Sequence, residues 1–436
     1  MMLRLPETPQ LLPNTSRRFT SPIRRCKDSL FLRSVATPRA AKERKVCILR
    51  TTSFVCASSL GRVKPVRNRS LDRHIVKSNK VRFVQKLKTL LLSTPKHFLP
   101  IKALHKFRAY LAPSNPSSIP RMIHRYPTVF ELFTIPTPPV PSLCVRLTQA
   151  AAALAVKEFE LKSNMAVIAA AKLQKLLMLS SHRRLLLSKL GHLCPDLGLP
   201  VDFRSRLCNQ FPDRFKVVET SYGRALELVS WDSNLARSLP SHEVGSDSLG
   251  MIVDRPLKFE HLRLRKGLNL KSSHKDYLIK FSKLPHVCPY ESSNVGDLDF
   301  PCESVEAEKR ACAVVREVLA MTVEKRAPID HLTLFRKDFG LPNKLRAMLD
   351  RHPELFYVSL KGLRHSVFLV EGYDDGGELK EKDELLVIND KLMELVREGE
   401  AFAKGNANFC DSIEEIDDEL DVRYDGLDDL FDPGWV

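Results

Sequence analysis

Ten cysteines and thirteen histidines are the side chains in this sequence best suited to metal binding or nucleophilic catalysis, and their spacing supports neither. Tetrahedral zinc needs paired ligands a few residues apart, with a second pair at a set distance. No Cys-x-x-Cys occurs, and the two His-x-Cys pairs, His192 with Cys194 and His286 with Cys288, have no second pair at zinc spacing. Cys26, Cys47 and Cys56 fall within the first sixty residues, while Cys194, Cys208 and Cys312 sit singly in apolar stretches and read as small core residues. A Cys/His hydrolase needs a nucleophile, a base and an orienting group brought together, and no pair here carries a local signature for that. There is no Gly-x-x-x-x-Gly-Lys-Ser/Thr loop to cradle phosphates. The carboxylates that a metal nuclease would use cluster past residue 411, with no apolar scaffold to hold them. These patterns predict no enzyme activity, no cofactor, no metal and no small-molecule substrate.

The chemistry in surplus is positive charge. The chain carries a formal +17, and the excess is uneven. From Asp411 onward there are eleven carboxylates against one Arg, so residues 1–410 carry +27. A body this basic points to a polyanionic partner. Four clusters could meet it. In the first, Phe83, Leu87, Leu90 and Leu91 follow helical spacing and leave Lys80, Arg82, Lys86 and Lys88 for solvent. In the second, Leu262 and Leu264 alternate with Arg263 and Arg265, so a strand would project its cations together, extended by Lys266 and Lys271. The third sets Lys172, Lys175, Arg183 and Arg184 around an apolar helix built on Met165, Ile168, Leu173 and Leu176. The fourth is Arg121 and Arg125, with Tyr126 placed to stack on an unpaired base. Against each stands the plainer reading that a Lys/Arg run is a solvated helix face. Phe130, Phe215, Phe356 and Trp231 sit amid apolar neighbours and read as core.

The elements that would carry these clusters repeat. The segments 121–130, 206–215 and 347–356 share one pattern: apolar residues four and five positions before a Pro, an aromatic or His just before it, and Phe three after it. The apolar pair shares a helical face, the Pro stops the helix, and the Phe opens an extended segment. Upstream of each lies a short amphipathic helix and a turn. Downstream of the second and third copies, β-rich runs flank polar turns at residues 221–223 and 361–362. The first copy has a proline-rich connector, Pro136–Pro141, in that place. Helix, turn, helix and hairpin is the layout of a winged-helix unit, so the expected fold is mainly α with short β-hairpins, an α+β class built of repeated winged-helix-like units. The expected sub-units are 72–133, 142–236 and 302–395, with a basic, strand-containing linker at 257–291.

The ends differ from the body. Residues 1–60 hold thirteen Ser/Thr, twelve Lys/Arg and three acids, with prolines at 6, 9, 13, 22 and 38. That is organellar transit-peptide composition, not a secretory signal. The prolines discourage an amphipathic presequence helix, which favours the chloroplast (stroma), with the mitochondrion as the alternative. Residues 411–436 read as an acidic, disordered tail. No run reaches the eighteen or so apolar residues of a membrane span, and no membrane partner is expected.

Around the repeats the sequence resembles the plant organelle RNA recognition (PORR) family. The matching stretches are Val81–Phe107, Ile119–Phe133, Arg146–Thr148, Leu173–Leu179, Asp196–Phe215, Leu228–Ala236 and Leu284–Glu291, then Glu308–Arg310, Leu319–Lys325, Leu341–Leu360 and Val367–Leu369. They cover residues 72–395 in order, and the acidic tail lies outside them. The resemblance implies a nuclear-encoded plant protein imported into an organelle. It also implies an RNA-binding protein that promotes group II intron splicing together with other nuclear-encoded splicing factors, as part of a ribonucleoprotein. The alternative is a protein-binding scaffold of an organellar splicing complex that never touches RNA.

Overall fold

The computed structural model describes residues 66–111, 119–136, 141–200, 202–239, 264, 268, 270–290, 304–362 and 364–405. Three times the chain runs from a helix through a short strand and short helices into a two-stranded hairpin. The first passage comprises α1 (Arg69–Ser93), β1 (Phe98–Pro100), α2 (Ile101–Leu104), α3 (Arg108–Leu111), α4 (Ile119–His124), β2 (Phe130–Ile135) and β3 (Ser142–Leu147). Helix α5 (Gln149–Asn164) leads to the second: α6 (Ala166–Leu179), β4 (Arg184–Leu186), α7 (Leu187–Leu197), α8 (Leu207–Gln210), β5 (Phe215–Thr220) and β6 (Gly223–Leu228). Helix α9 (Ser272–Lys283) precedes the third: α10 (Val305–Met321), β7 (Arg326–Pro328), α11 (Ile329–Leu334), α12 (Leu345–Arg351), β8 (Phe356–Ser359) and β9 (Ser366–Leu369). Helix α13 (Glu384–Gly405) follows. In each passage the first strand pairs antiparallel with the third and the third with the second, giving sheets β1-β3-β2, β4-β6-β5 and β7-β9-β8. The class is α+β, as the sequence predicts.

Two local devices recur in all three passages. The leading helix ends where a Thr or Ser backbone N–H (Thr94, Ser180, Thr322) donates to a Leu carbonyl three residues back, at 3.3, 3.1 and 3.1 Å. Three residues on, a basic side chain occupies the left-handed region: His97 at φ 54°, Arg183 at φ 53° and Lys325 at φ 47°. That conformation costs roughly 1–2 kcal/mol for a residue with a Cβ, and here it reverses the chain into the edge strand. The second device is the proline turn. Phe130, Phe215 and Phe356 donate their N–H to the carbonyls of Tyr126, Phe211 and His352, at 3.0, 3.2 and 2.9 Å. Each Phe then drops into a core and is at most 3% exposed, worth about 2 kcal/mol of transfer free energy apiece.

The hairpin of the first passage overturns one expectation. The proline-rich connector does not replace it: β2 and β3 pair across the connector from Phe130 opposite Leu147 to Ile135 opposite Ser142. Strand β3, at the expected opening of the middle sub-unit, pairs with β2 of the first passage. Leu392 and Val396 of α13 pack with Val84, Leu87, Leu91, Ile123 and Phe130 in the first core. A second core joins the second and third passages, from Leu173 and Phe215 to Val315 and Phe356. A small third cluster, Leu71 and Ile75 with Tyr357, Phe368 and Tyr373, fastens the start of α1 to the third sheet. In the linker, α9 buries Tyr277, Leu278 and Phe281, while the strand expected around Leu262–Arg265 lies almost wholly outside the described residues.

Candidate nucleic-acid interface

Helix α1 sets the geometry, because it buries different sides along its length. Asn68 caps it, its Oδ1 accepting from the Ser70 and Leu71 N–H groups at 3.1 and 3.4 Å. Asp72, 3% exposed, accepts from Tyr357 Oη at 2.9 Å and Ser359 Oγ at 2.5 Å and pairs with Arg67 at 2.9 Å. Those bonds tie the first turn to β8. The β8–β9 turn lies against the same helix, with no room for a Cβ at Gly362 beside Ile75 and Asn79. Farther along, Val84, Leu87 and Leu91 turn to the first core.

Seating the third hairpin on α1 brings Arg364, which also pairs with Asp330 at 3.8 Å, near enough for its charge to act on Arg82 and Lys86. Burial lowers the Arg82 pKa, and the charge of Arg364 lowers it further. Burial, then Arg82, then Arg364 bring Lys86 down to about 8. Like charges gathered at a partly buried surface suit a phosphate or another anion. Lys86 Nζ donates to the Tyr110 carbonyl at 2.6 Å and lies 5.3 Å from the Tyr110 ring. Beside it, the α2–α3 segment exposes Phe107 and Tyr110 among Lys102, His105, Lys106 and Arg108. Cations interleaved with exposed rings can hold a strand's phosphates and stack its bases. The charge of Arg364 is also felt at His192 in α7. His192 is lowered by burial first, then by His331, Arg364 and Arg204.

The other cations named from the sequence scatter. Lys80 and Arg121 are exposed. Lys88 is buried, its Nζ 2.5 Å from Glu158 Oε2, so helical spacing misassigned it. Arg125 pairs with Glu400 at 3.2 Å. Tyr126 is buried against Phe83, ring centroids 6.5 Å apart, and is in no position to stack on a base. Lys172 donates to the Leu197 carbonyl at 3.2 Å, and Lys175 faces Glu317 at 3.6 Å. Both turn inward, because α6 is wrapped by the second core on most sides. Arg184 makes two bonds to Glu227 Oε1, at 2.9 and 2.7 Å. Arg183 lies 5.0 Å over the ring of Trp231. Trp231 is 39% exposed rather than core, because the chain leaves β6 along the surface there. Lys271 is exposed just ahead of α9, while Arg263, Arg265 and Lys266 lie outside the described residues.

Among the described residues, one meeting of Cys, His and carboxylate side chains is shut off from solvent. Cys312, His352, Glu308 and Glu354 do converge: His352 Nε2 lies 3.0 Å from Glu308 and Nδ1 2.9 Å from Glu354. Yet His352 is 0% exposed and Cys312 2%, and burial raises the Cys312 pKa, so no thiolate faces a substrate. Burial likewise pushes Cys194 up to about 12 and Cys208 to about 11. Among the described residues no group of His, Cys, Asp and Glu is arranged to hold a metal ion, and no helix is long and apolar enough to cross a membrane.

Comparison with known proteins agrees with the resemblance. Protein WHAT'S THIS FACTOR 1, chloroplastic, of Zea mays is 37% identical over 387 residues, 85% of this chain and 76% of the maize protein. The homologues named chloroplastic from Oryza sativa subsp. japonica and Arabidopsis thaliana are 39% and 36% identical over 77% and 80% of this chain; in each the match spans 65% of the relative's own length. The relative named mitochondrial, WHAT'S THIS FACTOR 9 of Arabidopsis thaliana, is 29% identical, so the similarity favours the chloroplast for this chain. No solved structure matches it. Residues 66–401 match the plant organelle RNA recognition domain, and the chain belongs to that family.

Proposed function

We propose that this protein binds group II intron RNA in the chloroplast stroma and favours the splicing-competent fold, with no chemistry of its own. The observation that carries the reading is the meeting of Arg82, Lys86 and Arg364 beside the exposed rings of Phe107 and Tyr110. A large intron resists compaction through phosphate repulsion, and cations held on a rigid frame offset it. We read the three recurring passages as winged-helix units; the shared strand order, first–third–second, supports this. In such units the helix before the hairpin and the hairpin itself commonly face nucleic acid. Here the third hairpin packs on α1 instead, with Arg364 near enough for its charge to act on Arg82 and Lys86.

A protein-binding role is favoured by a separate feature. Helices α5 and α6 leave Val156, Phe159, Val167 and Ile168 between 52% and 58% exposed, an apolar face suited to another splicing factor. Titrating the purified protein with a chloroplast intron and with an unrelated transcript of equal length separates binder from scaffold. The binder retains the intron at about 0.15 M salt and loses affinity steeply as salt rises. Replacing Arg82 and Lys86 by Ala lowers affinity and reduces the salt slope by about 2. Equal, weak retention of both transcripts would falsify the RNA reading.

A further inference from the structure

Helix α1 carries a second positive face, on the far side from Arg82 and Lys86. Arg69, Arg73, Lys77 and Lys80 recur at intervals of four, four and three, so they line one side of the helix over about 16 Å. This stretch of α1 fastens its opposite side, Leu71 and Ile75, to the third sheet, which leaves the cationic side open. Helix α13 runs alongside, and its Arg397 completes a groove of about 300 Å³ with Val76 and Met393 among its lining. The two carboxylates at the groove are already engaged. Asp72 serves Tyr357, Ser359 and Arg67, and Glu400 faces Arg125. Among the described residues, Arg69, Arg73, Lys77, Lys80 and Arg397 have no carboxylate partner, and Val76 is 44% exposed between them.

We infer that the α1–α13 groove is a track for the sugar-phosphate backbone of single-stranded RNA, with successive phosphates on the α1 stripe and Arg397 and a ribose or base over Val76. The inference rests on the RNA-binding reading and adds where a strand runs and which strand form fits. Residues four apart on a helix are separated by about 6 Å along its axis, close to the spacing of adjacent phosphates in one extended strand. A cleft of this volume takes a single nucleotide unit, so an unpaired strand can seat a sugar or base there while its phosphates follow the stripe, and a base held in a duplex is not free to enter. The apolar lining suits a sugar or base face, and every base has one, so the track reads backbone rather than sequence.

The test uses the full chain with Arg73→Ala, Lys77→Ala and Lys80→Ala combined, all partly or fully exposed, with unfolding followed in parallel to check the fold. Binding to a short oligouridylate and to an RNA duplex of equal length is measured across a salt series. The expected result is at least a tenfold loss for the oligouridylate, a salt slope shallower by about 2, and little change for the duplex or in the unfolding midpoint. Unchanged oligouridylate affinity and slope, while the wild-type chain binds it, overturns the track. Weakened binding of oligoglutamate with RNA binding intact also overturns it and gives the groove to an acidic protein partner. If the wild-type chain holds neither RNA, the functional reading fails and the track falls with it.

Discussion

Lys86 and Lys88 stand two positions apart on α1, and the surroundings of each decide what it can do. Lys86 lies among cations, with its pKa brought down to about 8 by burial, Arg82 and Arg364. It has lost about half its charge near pH 8, where an ordinary Lys, near 10.4, keeps it. RNA affinity should therefore fall between about pH 7 and pH 9, and Lys86→Arg should flatten that fall. A wild-type affinity constant over the window would remove Lys86 from the interface. Lys88 is neutralised by Glu158 in the protein interior. Lys88→Ala should leave RNA binding nearly intact and lower stability. The loss should stay below the ~3 kcal/mol of a fully orphaned buried charge, because Lys162 still pairs with Glu158 at 2.7 Å. His352 is the core counterpart. Burial opposes its charge, but the carboxylates of Glu354 and Glu308, at 2.9 and 3.0 Å from its ring nitrogens, outweigh burial and hold its pKa well above the usual imidazole value. Its stabilisation is fully present below about pH 6.5 and is lost as pH rises through the raised folded-state value. His352→Gln should cost at least ~3 kcal/mol in acid, and the gap from wild type should narrow toward alkaline pH in unfolding titrations. A gap that widened would sink that assignment.

The β8–β9 hairpin does at the scale of an element what no single residue can. It carries Arg364 across to a helix almost three hundred positions earlier, and Gly362 lets it come close. Gly362 has φ +89°, and a Cβ there would stand 2.9 Å from Ile75 and 3.1 Å from Asn79. Gly362→Ala should cost at least ~1–2 kcal/mol from the backbone conformation alone. It should also push the hairpin off α1, so that the Lys86 titration moves back toward the normal Lys range. A variant that lost stability but kept the depressed Lys86 titration would separate the hairpin from the cationic cluster. Helix α1 shows the same dependence on neighbours. Its first half buries Leu71 and Ile75 against the third sheet and its second half buries Val84, Leu87 and Leu91 in the first core. A single helical stripe drawn through Phe83, Leu87, Leu90 and Leu91 describes only the second half.

Among the described residues, the first and last helices tie the three passages together. Helix α13 enters the first core, and α1 holds the third sheet, so the three passages are not beads on a string. Both cationic faces of α1 depend on those ties, one on the third hairpin and the other on α13. Truncation before α13 should therefore expose Leu392's partners in the first core and impair folding, not merely trim a surface.

Much of this was legible from residue types alone. The charge surplus, the thrice-repeated proline turn and the α+β class are local or compositional, because helix stops, turns and hairpins are set by a few neighbouring side chains. So is the ordered set of stretches that identifies the family. The hairpin across Pro136–Pro141 was hidden because a proline-rich connector carries no strand signal even when the segments beside it pair. Which cations reach solvent was decided only by packing. Lys88, Lys172 and Lys175 meet partners or carbonyls far away in sequence, and Arg364 joins Arg82 and Lys86 only because a distant turn docks on α1. Periodicity can say which residues share a face, but the identity of what covers that face is long-range information, and for a charged side chain that identity decides between core ion pair and open surface.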